Sequence, residues 1–426
     1  MNGLGIRALV CVAAATGSYL SVSTFTPAVA GATCGSGPSW GPVAPDLPDG
    51  APCSLRDILE NKAANGDQVV LTTDATYTIN DAGESLCARG GIDVNTSVHI
   101  TGNGAELVVD CTGGNANALN ILAPDVVLDH VRITTIPGKG GGGGILYSSS
   151  GFEVTNSTIA DNVNCAQSGG GISIRTYGAK IVNTTITGNS SYIGGGIGAA
   201  GYDLTDVTNS TVTGNSSSLI GGGIASAGSL TIIYSDVVAN STGVAVPDLC
   251  AGIPFTDDAG LQQLVESPRG QTSGAANIFL GNMAGSPGPL NVLASVIAEP
   301  INGEKCEFFG FPQASANAGY NFSDDDTCML DGPSDRQTAG DPDLGALRDN
   351  GGPSPTLLPM SGSPLLDTVP LDVCDAIVAL GIATDQRGIS RPQGAGCDIG
   401  SVEIERPKSF ATATPPTVLI QPRFTA

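Results

Sequence analysis

Charge is scarce in this chain. Asp, Glu, Lys and Arg make up 13% of its 426 residues, aromatic residues 4%, and histidine occurs twice, at His99 and His130. So little Glu and Lys, with 60 glycines and abundant Ser, Thr and Asn, excludes a mainly helical protein. No CxxC pair occurs, and with two histidines this argues against zinc. Basic residues number 17 against 40 acidic ones, a net charge of −23 scattered along the chain. Such a field repels DNA, RNA and anionic polysaccharide unless divalent cations bridge the two, so no nucleic-acid partner is expected, whereas neutral glycans and calcium are admitted. A long apolar run is also missing. The stretch "ALVCVAAATGSYLSV" is interrupted at Gly17 and Ser18, short of the ~20 residues needed to span a bilayer.

That stretch reads as a secretory signal over residues 1–30, with Arg7 before the apolar centre and "AVA" at Ala28 to Ala30 as the small-residue cleavage site. No transmembrane segment is expected after its removal. Cys11 leaves with the signal. Ten cysteines remain, from Cys34 to Cys397, an even number that fits disulfides in an oxidising compartment, with sequential pairing as the simplest pattern.

What is abundant is a repeat. Glycine triplets end at Gly144, Gly171, Gly196 and Gly223, and the strips "NSTIADN", "NTTITGN", "NSTVTGN" and "YSDVVAN" begin at Asn156, Asn183, Asn209 and Tyr234. Both markers advance by 25–27 residues, the signature of a solenoid whose units bury their apolar faces against their neighbours. Apolar residues come in short bursts rather than at 3.6-residue spacing. "GISI", "KIVN" and "TTIT" give three β-prone runs per unit, hence an all-β, right-handed parallel β-helix with rungs of three strands. Ile172, Ile174, Ile181 and Ile186 are expected to point inward, glycines to turn the first corner at positive φ, and asparagines to accept left-handed backbone and stack as a ladder. That ladder takes precedence over N-glycosylation, although several of these asparagines fit N-x-S/T.

The chain divides into residues 31–66 as N-terminal segment and cap, with "CSLRDILENKAANG" helical, then 67–250 as regular rungs. From Gly66 to Cys250 there is room for about seven rungs, roughly 33 Å at ~4.8 Å each. Residues 251–340 read as irregular rungs with an inserted loop, 341–405 as a C-terminal module, and 406–426 as a disordered tail.

The last module carries "GYN", "DPDLGALRDNGGPSPTLLP", "GSPLLD", "DQRG", "RP" and "CDIGSVE" in order, and in this it resembles the choice-of-anchor Q module. "CSLRDILENKAANG" is similar to the CSLREA motif, with Asp57-Ile58 in place of Glu-Ala, and the GGGI and NSTITGN units resemble bacterial surface proteins with the pectate-lyase-like right-handed β-helix. Together these cover about residues 53 to 403. The resemblance implies a secreted or surface-attached protein, usually without a known activity. No LPxTG or Gly-Gly-Cys sorting motif follows the module, so release or non-covalent retention is expected.

Three places carry candidate chemistry. "VVLDHVRIT" supplies Asp129, His130 and Arg132 after Asp125, and a lyase of this fold needs a calcium-holding acidic cluster with a basic residue to take the C5 proton; His130 and Arg132, two apart, would share a strand face. Asp324, Asp325 and Asp326 form the densest acidic run and are the candidates for calcium, the one cofactor considered. Tyr177 and Tyr202 each lie six residues after the last glycine of a triplet, one rung apart, as a stacked platform for sugar rings. Each has a plainer reading, respectively an ordinary rung, an exposed turn beside Cys328, and turn packing. The sequence therefore points to a secreted or surface-associated, non-enzymatic β-helix that adheres to glycan or a cell surface. The alternative is a polysaccharide lyase or glycoside hydrolase.

Overall fold

The computed structural model describes residues 39–45, 52–80, 90–110, 117–139, 141–201, 203–245, 250, 274–281, 288–309 and 319–405. They form a parallel β-helix. One sheet stacks eight strands, from Ile92–Val94 through Ile145–Tyr147, Ile172–Ile174, Ile197–Ala199 and Ile224–Ser226 to Cys306–Phe309, one per turn. The other wall is a bent sheet of two arms. One arm runs through Phe152–Thr155, Ala179–Val182, Thr205–Thr208 and Leu230–Ile233, the second through Thr158–Ala160, Thr185–Thr187, Thr211–Thr213 and Asp236–Val238.

Pairing between turns is in register, isoleucine on isoleucine. Ile172 pairs with Ile145 and Ile197, and Ile186 with Ile159 and Val212. Ile172, Ile174, Ile181 and Ile186 all point inward and are buried as the sequence predicts. Each such side chain contributes about 1.5–3 kcal/mol through removal from water. Beyond the three strands of the rung, three successive turns add a short fourth: Val163–Asn164, Ser190–Ile193 and Ser216–Ile220. Ile193 and Ile220 pack with Ala225 and Phe279 in a small cluster apart from the main core.

The corners explain the repeated glycines and asparagines in two different ways. In the three later triplets the first glycine has positive φ, 78° at Gly169, 63° at Gly194 and 62° at Gly221, where a Cβ would be strained. The third is glycine because of close approach. A Cβ on Gly171 would lie 2.8 Å from the Gly196 carbonyl oxygen and 3.0 Å from Asn189 Nδ2. Asn156, Asn183 and Asn209 occupy left-handed backbone, φ 46–51°. The hydrogen-bonded ladder is built mainly by the second asparagine of each strip. Asn162, Asn189, Asn215, Asn240 and Asn277 are fully buried; the Nδ2 of each of the first four donates to the next Oδ1 at 2.9–3.0 Å, and Asn277 Nδ2 ends the row on the Ala298 carbonyl. Beside it runs a hydroxyl ladder. The backbone N–H groups of Ser157, Thr184, Ser210 and Ser235 each donate to the hydroxyl one turn on, at 3.1–3.3 Å. Buried amides are satisfied sideways by these rows, as a dry interior requires.

At the N-terminal end, Leu55–Asp57 and Ile58–Lys62 are helical, capped by Ser54, whose hydroxyl accepts from the Asp57 N–H. Ile58 and Leu59 enter the main core, and buried Arg56 donates to the carbonyls of Gly90 and Gly91. Toward the other end, Ile224 pairs directly with Ile278 and Leu230 with Leu290. Among the described residues three disulfides join consecutive cysteines: Cys165–Cys250, Cys306–Cys328 and Cys374–Cys397. Cys34, Cys87 and Cys111 lie outside the described residues, as do the signal and the tail.

After the last rung the chain turns back along the tube. Residues from Leu344 onward contain isolated antiparallel bridges, the strand Val369–Pro370 against Gly396–Cys397, and the helix Leu371–Ala379. This segment shares its core with the solenoid. Leu357, Leu365, Val369, Ile377 and Ile399 pack with Tyr234, Val238, Val296 and Phe322, residues of the rungs.

Candidate functional site

The strand Val127–Thr135 holds the residues singled out for chemistry, but a corner divides it. His130 has φ 54°, the left-handed position that Asn156, Asn183 and Asn209 occupy in later turns. Strand alternation slips between Asp129 and His130, which are both partly exposed, and Val131 is buried between His130 and Arg132. Asp129 lies on the first arm opposite Thr155, and Arg132 on the second arm opposite Thr158. Asp129 Oδ1 accepts from Thr155 Oγ1 and Asn156 Nδ2, both at 2.7 Å, which ties off the corner asparagines. Arg132 donates from Nε to Glu106 Oε1 at 3.1 Å and reaches Asp161 Oδ2 at 3.5 Å. Its side chain is 39% exposed, and the guanidinium is fenced by two carboxylates on neighbouring turns.

The acidic run also meets a resident cation. Lys305 Nζ lies 3.0 Å from Asp325 Oδ2 and 3.4 Å from Asp324 Oδ1. Burial works against the ammonium, yet hydrogen bonds and charge from Asp325 and Asp324 raise its pKa overall. Asp325 Oδ1 accepts from the N–H and hydroxyl of Thr327, and Asp324 Oδ2 from the Glu299 N–H. The position a calcium ion would take between Asp324 and Asp325 is thus held by Lys305. Asp326 stands exposed in the turn. Among the described residues no group of three or more His, Cys, Asp or Glu side chains is arranged to hold a metal. Tyr177 is 52% exposed in its turn, and Tyr202 lies outside the described residues.

A richer constellation sits where the C-terminal segment meets the second arm. Register places Glu106, Arg132, Thr158, Thr185, Thr211, Asp236, Val296 and Phe322 in one outward row. From Thr185 onward this row is covered. Gln386 Nε2 donates to Thr185 Oγ1 and its Oε1 accepts from Thr211 Oγ1, each at 2.7 Å. Asn209 Nδ2 donates to the Thr384 carbonyl at 2.7 Å, and Ser354 Oγ to the Asn183 carbonyl at 3.0 Å. Ser401 donates through N–H and hydroxyl to Asp236 Oδ2. Arg391 stacks 4.0 Å over the Tyr234 ring and pairs with Glu403 at 3.0 Å, both partners buried. Arg387 pairs with buried Asp385 at 2.9 Å.

Burial shapes the protonation of this interface. It raises Asp236 to about 6, against the lowering hydrogen bonds of Ser401 and the charge of Arg391. It pushes Tyr234 to about 12, and moves Asp398 and Glu403 upward despite Arg391. Thus the motif residues of "DQRG", "RP" and "CDIGSVE" hold the segment to the rungs. Their landing points went unread in the sequence. The available signal was the change from "NSTVTGN" to "YSDVVAN" and "SVIAEP", which puts Asp236, Val238 and Val296 where earlier turns have outward threonine or alanine.

No family model and no curated protein matches the chain. Among solved structures it is similar to one described as the crystal structure of pectate lyase Pel9A, at 14% sequence identity and a TM-score of 0.49, covering 83% of this chain and 91% of that one. Among the described residues, no helix is long and apolar enough to cross a membrane.

Proposed function

We propose that this is a secreted or surface-associated β-helix protein without catalytic activity, which adheres to glycan or to a cell surface through its exposed polar turns. One observation carries the reading: the groups considered for catalysis are committed to the rungs. Asp129 is tied to Thr155 and Asn156, His130 turns a corner, and Arg132 is flanked by Glu106 and Asp161. A general base must be free to reach its proton, and Arg132 is ion-paired on both sides, to Glu106 and Asp161. Three disulfides and the N-terminal signal support export, and the order of motifs after residue 341 supports a choice-of-anchor Q module that retains the protein non-covalently.

The experiment is incubation of the mature chain with neutral and acidic polysaccharides, with and without calcium, followed by polymer length analysis, alongside binding to glycan arrays and intact cells. Unchanged polymers together with retention on a glycan or cell surface are expected. Shortened polymers would replace this reading with the alternative, a polysaccharide lyase or glycoside hydrolase. That alternative has one feature in its favour, the half-exposed Arg132 beside Glu106 on an uncovered part of the row. Its specific check is Arg132→Ala or Asp129→Ala, which must abolish any turnover seen.

A further inference from the structure

We propose that Asn95 is a site of N-linked glycosylation, and that the fold withholds the chain's other acceptor sequences. Eight asparagines stand in N-x-S/T, namely Asn95, Asn156, Asn183, Asn189, Asn209, Asn215, Asn240 and Asn321. Transfer requires a free carboxamide nitrogen that can leave the protein surface. In the folded chain seven of the eight nitrogens are engaged. Asn156 Nδ2 donates to Asp129 Oδ1, Asn183 Nδ2 to Asn156 Oδ1, and Asn209 Nδ2 to the Thr384 carbonyl. Asn189, Asn215 and Asn240 donate along the buried ladder and to the carbonyls of Ile159, Ile186 and Val212. Asn321 Nδ2 donates to the Val292 carbonyl, and its side chain is fully buried.

Asn95 differs on every count. It lies directly after the strand Ile92–Val94, in the turn that leads to His99–Val109, and it is exposed. Its carboxamide makes no hydrogen bond to the described residues. The turn itself is held in place by neighbouring backbone: the Ser97 N–H donates to Asn65 Oδ1 at 3.0 Å, and the Gly66 N–H to the Ser97 carbonyl at 2.7 Å. Of the eight sequons, Asn95 alone has a carboxylate two residues before it, Asp93. A bulky polar glycan at this turn would project into solvent without touching either ladder. The same glycan on Asn189 or Asn215 would remove a ladder rung from the core.

The donor class is a lipid-diphosphate-linked oligosaccharide. Asn95 Nδ2 forms a bond to its anomeric carbon, the bond from that carbon to the phosphate oxygen breaks, the lipid diphosphate leaves, and the amide proton passes to the transferase. The inference rests on the export reading, so the experiment bypasses export. The purified, disulfide-bonded mature chain is incubated with a membrane oligosaccharyltransferase and its lipid-linked donor, with an acceptor peptide as control, and sites are mapped by peptide mass spectrometry. A single oligosaccharide on Asn95 is expected, absent from Asn95→Gln and Ser97→Ala. The reduced, urea-unfolded chain is expected to take additional glycans in the strips around Asn183 and Asn209. No glycan on the folded chain while the control peptide is modified, or glycan on a ladder asparagine of the folded chain, would overturn the proposal. Export is checked separately, by N-terminal sequencing of secreted material.

Discussion

Gln386 Oε1 accepts a hydrogen bond from Thr211 Oγ1 at 2.7 Å, across 175 residues of sequence. The same side chain donates to Thr185 Oγ1 on the next turn, and to Ser354 Oγ at 2.9 Å. One carboxamide therefore joins two rungs and the returning segment. Gln386→Ala removes one hydrogen bond from each of Thr185 and Thr211, which keep the Pro355 carbonyl and Ser401 Oγ as partners, at about 0.5–1.5 kcal/mol per bond. Faster hydrogen exchange in residues 354–403 than in the rungs is the expected result. Uniform acceleration through the whole chain would show that the segment and the tube unfold as one unit.

The buried asparagine ladder sets a second expectation. Asn215 Nδ2 donates to the Ile186 carbonyl at 2.9 Å and to Asn240 Oδ1, while its Oδ1 accepts from Asn189 Nδ2 and N–H. Asn215→Leu strands groups on both neighbouring turns, with a loss on the order of 3 kcal/mol. Gly171→Ala acts from the other side of the same corner, where its methyl meets Asn189 Nδ2 at 3.0 Å. Denaturant midpoints of both variants give the values, and an unchanged midpoint for Asn215→Leu would refute the ladder's energetic role.

Stability depends on pH in an unusual direction. Asp236 is raised to about 6 in the folded protein by burial, against the hydrogen bonds of Ser401 and the charge of Arg391. A raised carboxyl binds its proton more tightly when folded, so its contribution is complete below the unfolded value near 4 and is lost as pH rises through about 6. Asp398 and Glu403, also raised by burial, act in the same sense. The melting temperature should fall between about pH 4 and 7. Asp236→Asn should flatten that slope while still accepting from Ser401, and an identical slope in the variant would remove Asp236 as its source.

Calcium gives a contrast. Lys305 is ion-paired with both Asp324 and Asp325 in the wild-type protein. Calcium should leave its melting temperature unchanged. Lys305→Met frees the two carboxylates at a cost on the order of 1 kcal/mol, and calcium should restore part of that loss. Thermal melts with calcium or chelator decide the matter. A calcium-dependent rise in the wild type would mean that the ion displaces the lysine.

Much of the tube was legible because its physics is local and periodic. Ile172, Ile181 and Ile186 recur at a fixed step, and each recurrence meets the same neighbour one turn away. The sites were less legible. Nothing in the motif marks the corner at His130, where left-handed backbone leaves the adjacent Asp129 and His130 both partly exposed. The assignment of asparagine to a ladder was sound, but a motif cannot tell the left-handed Asn183 from the buried Asn189 six residues later. The docking of the last segment was out of reach for a different reason. Its contacts, such as Ser401 with Asp236, span 165 residues and follow no period.

The shared core between the returning segment and the outward row makes the protein a ruler with one fixed end. Thr185, Thr211 and Asp236 stand on successive turns, so their spacing is locked to that of Gln386 and Ser401. A turn duplicated among them would displace one landing point by a strand spacing, ~4.8 Å. A turn duplicated ahead of Glu106 would lengthen the tube without disturbing the clasp. Growth and loss of length in such chains are therefore expected near the N-terminal end, while the last turns and the segment that covers them must change together.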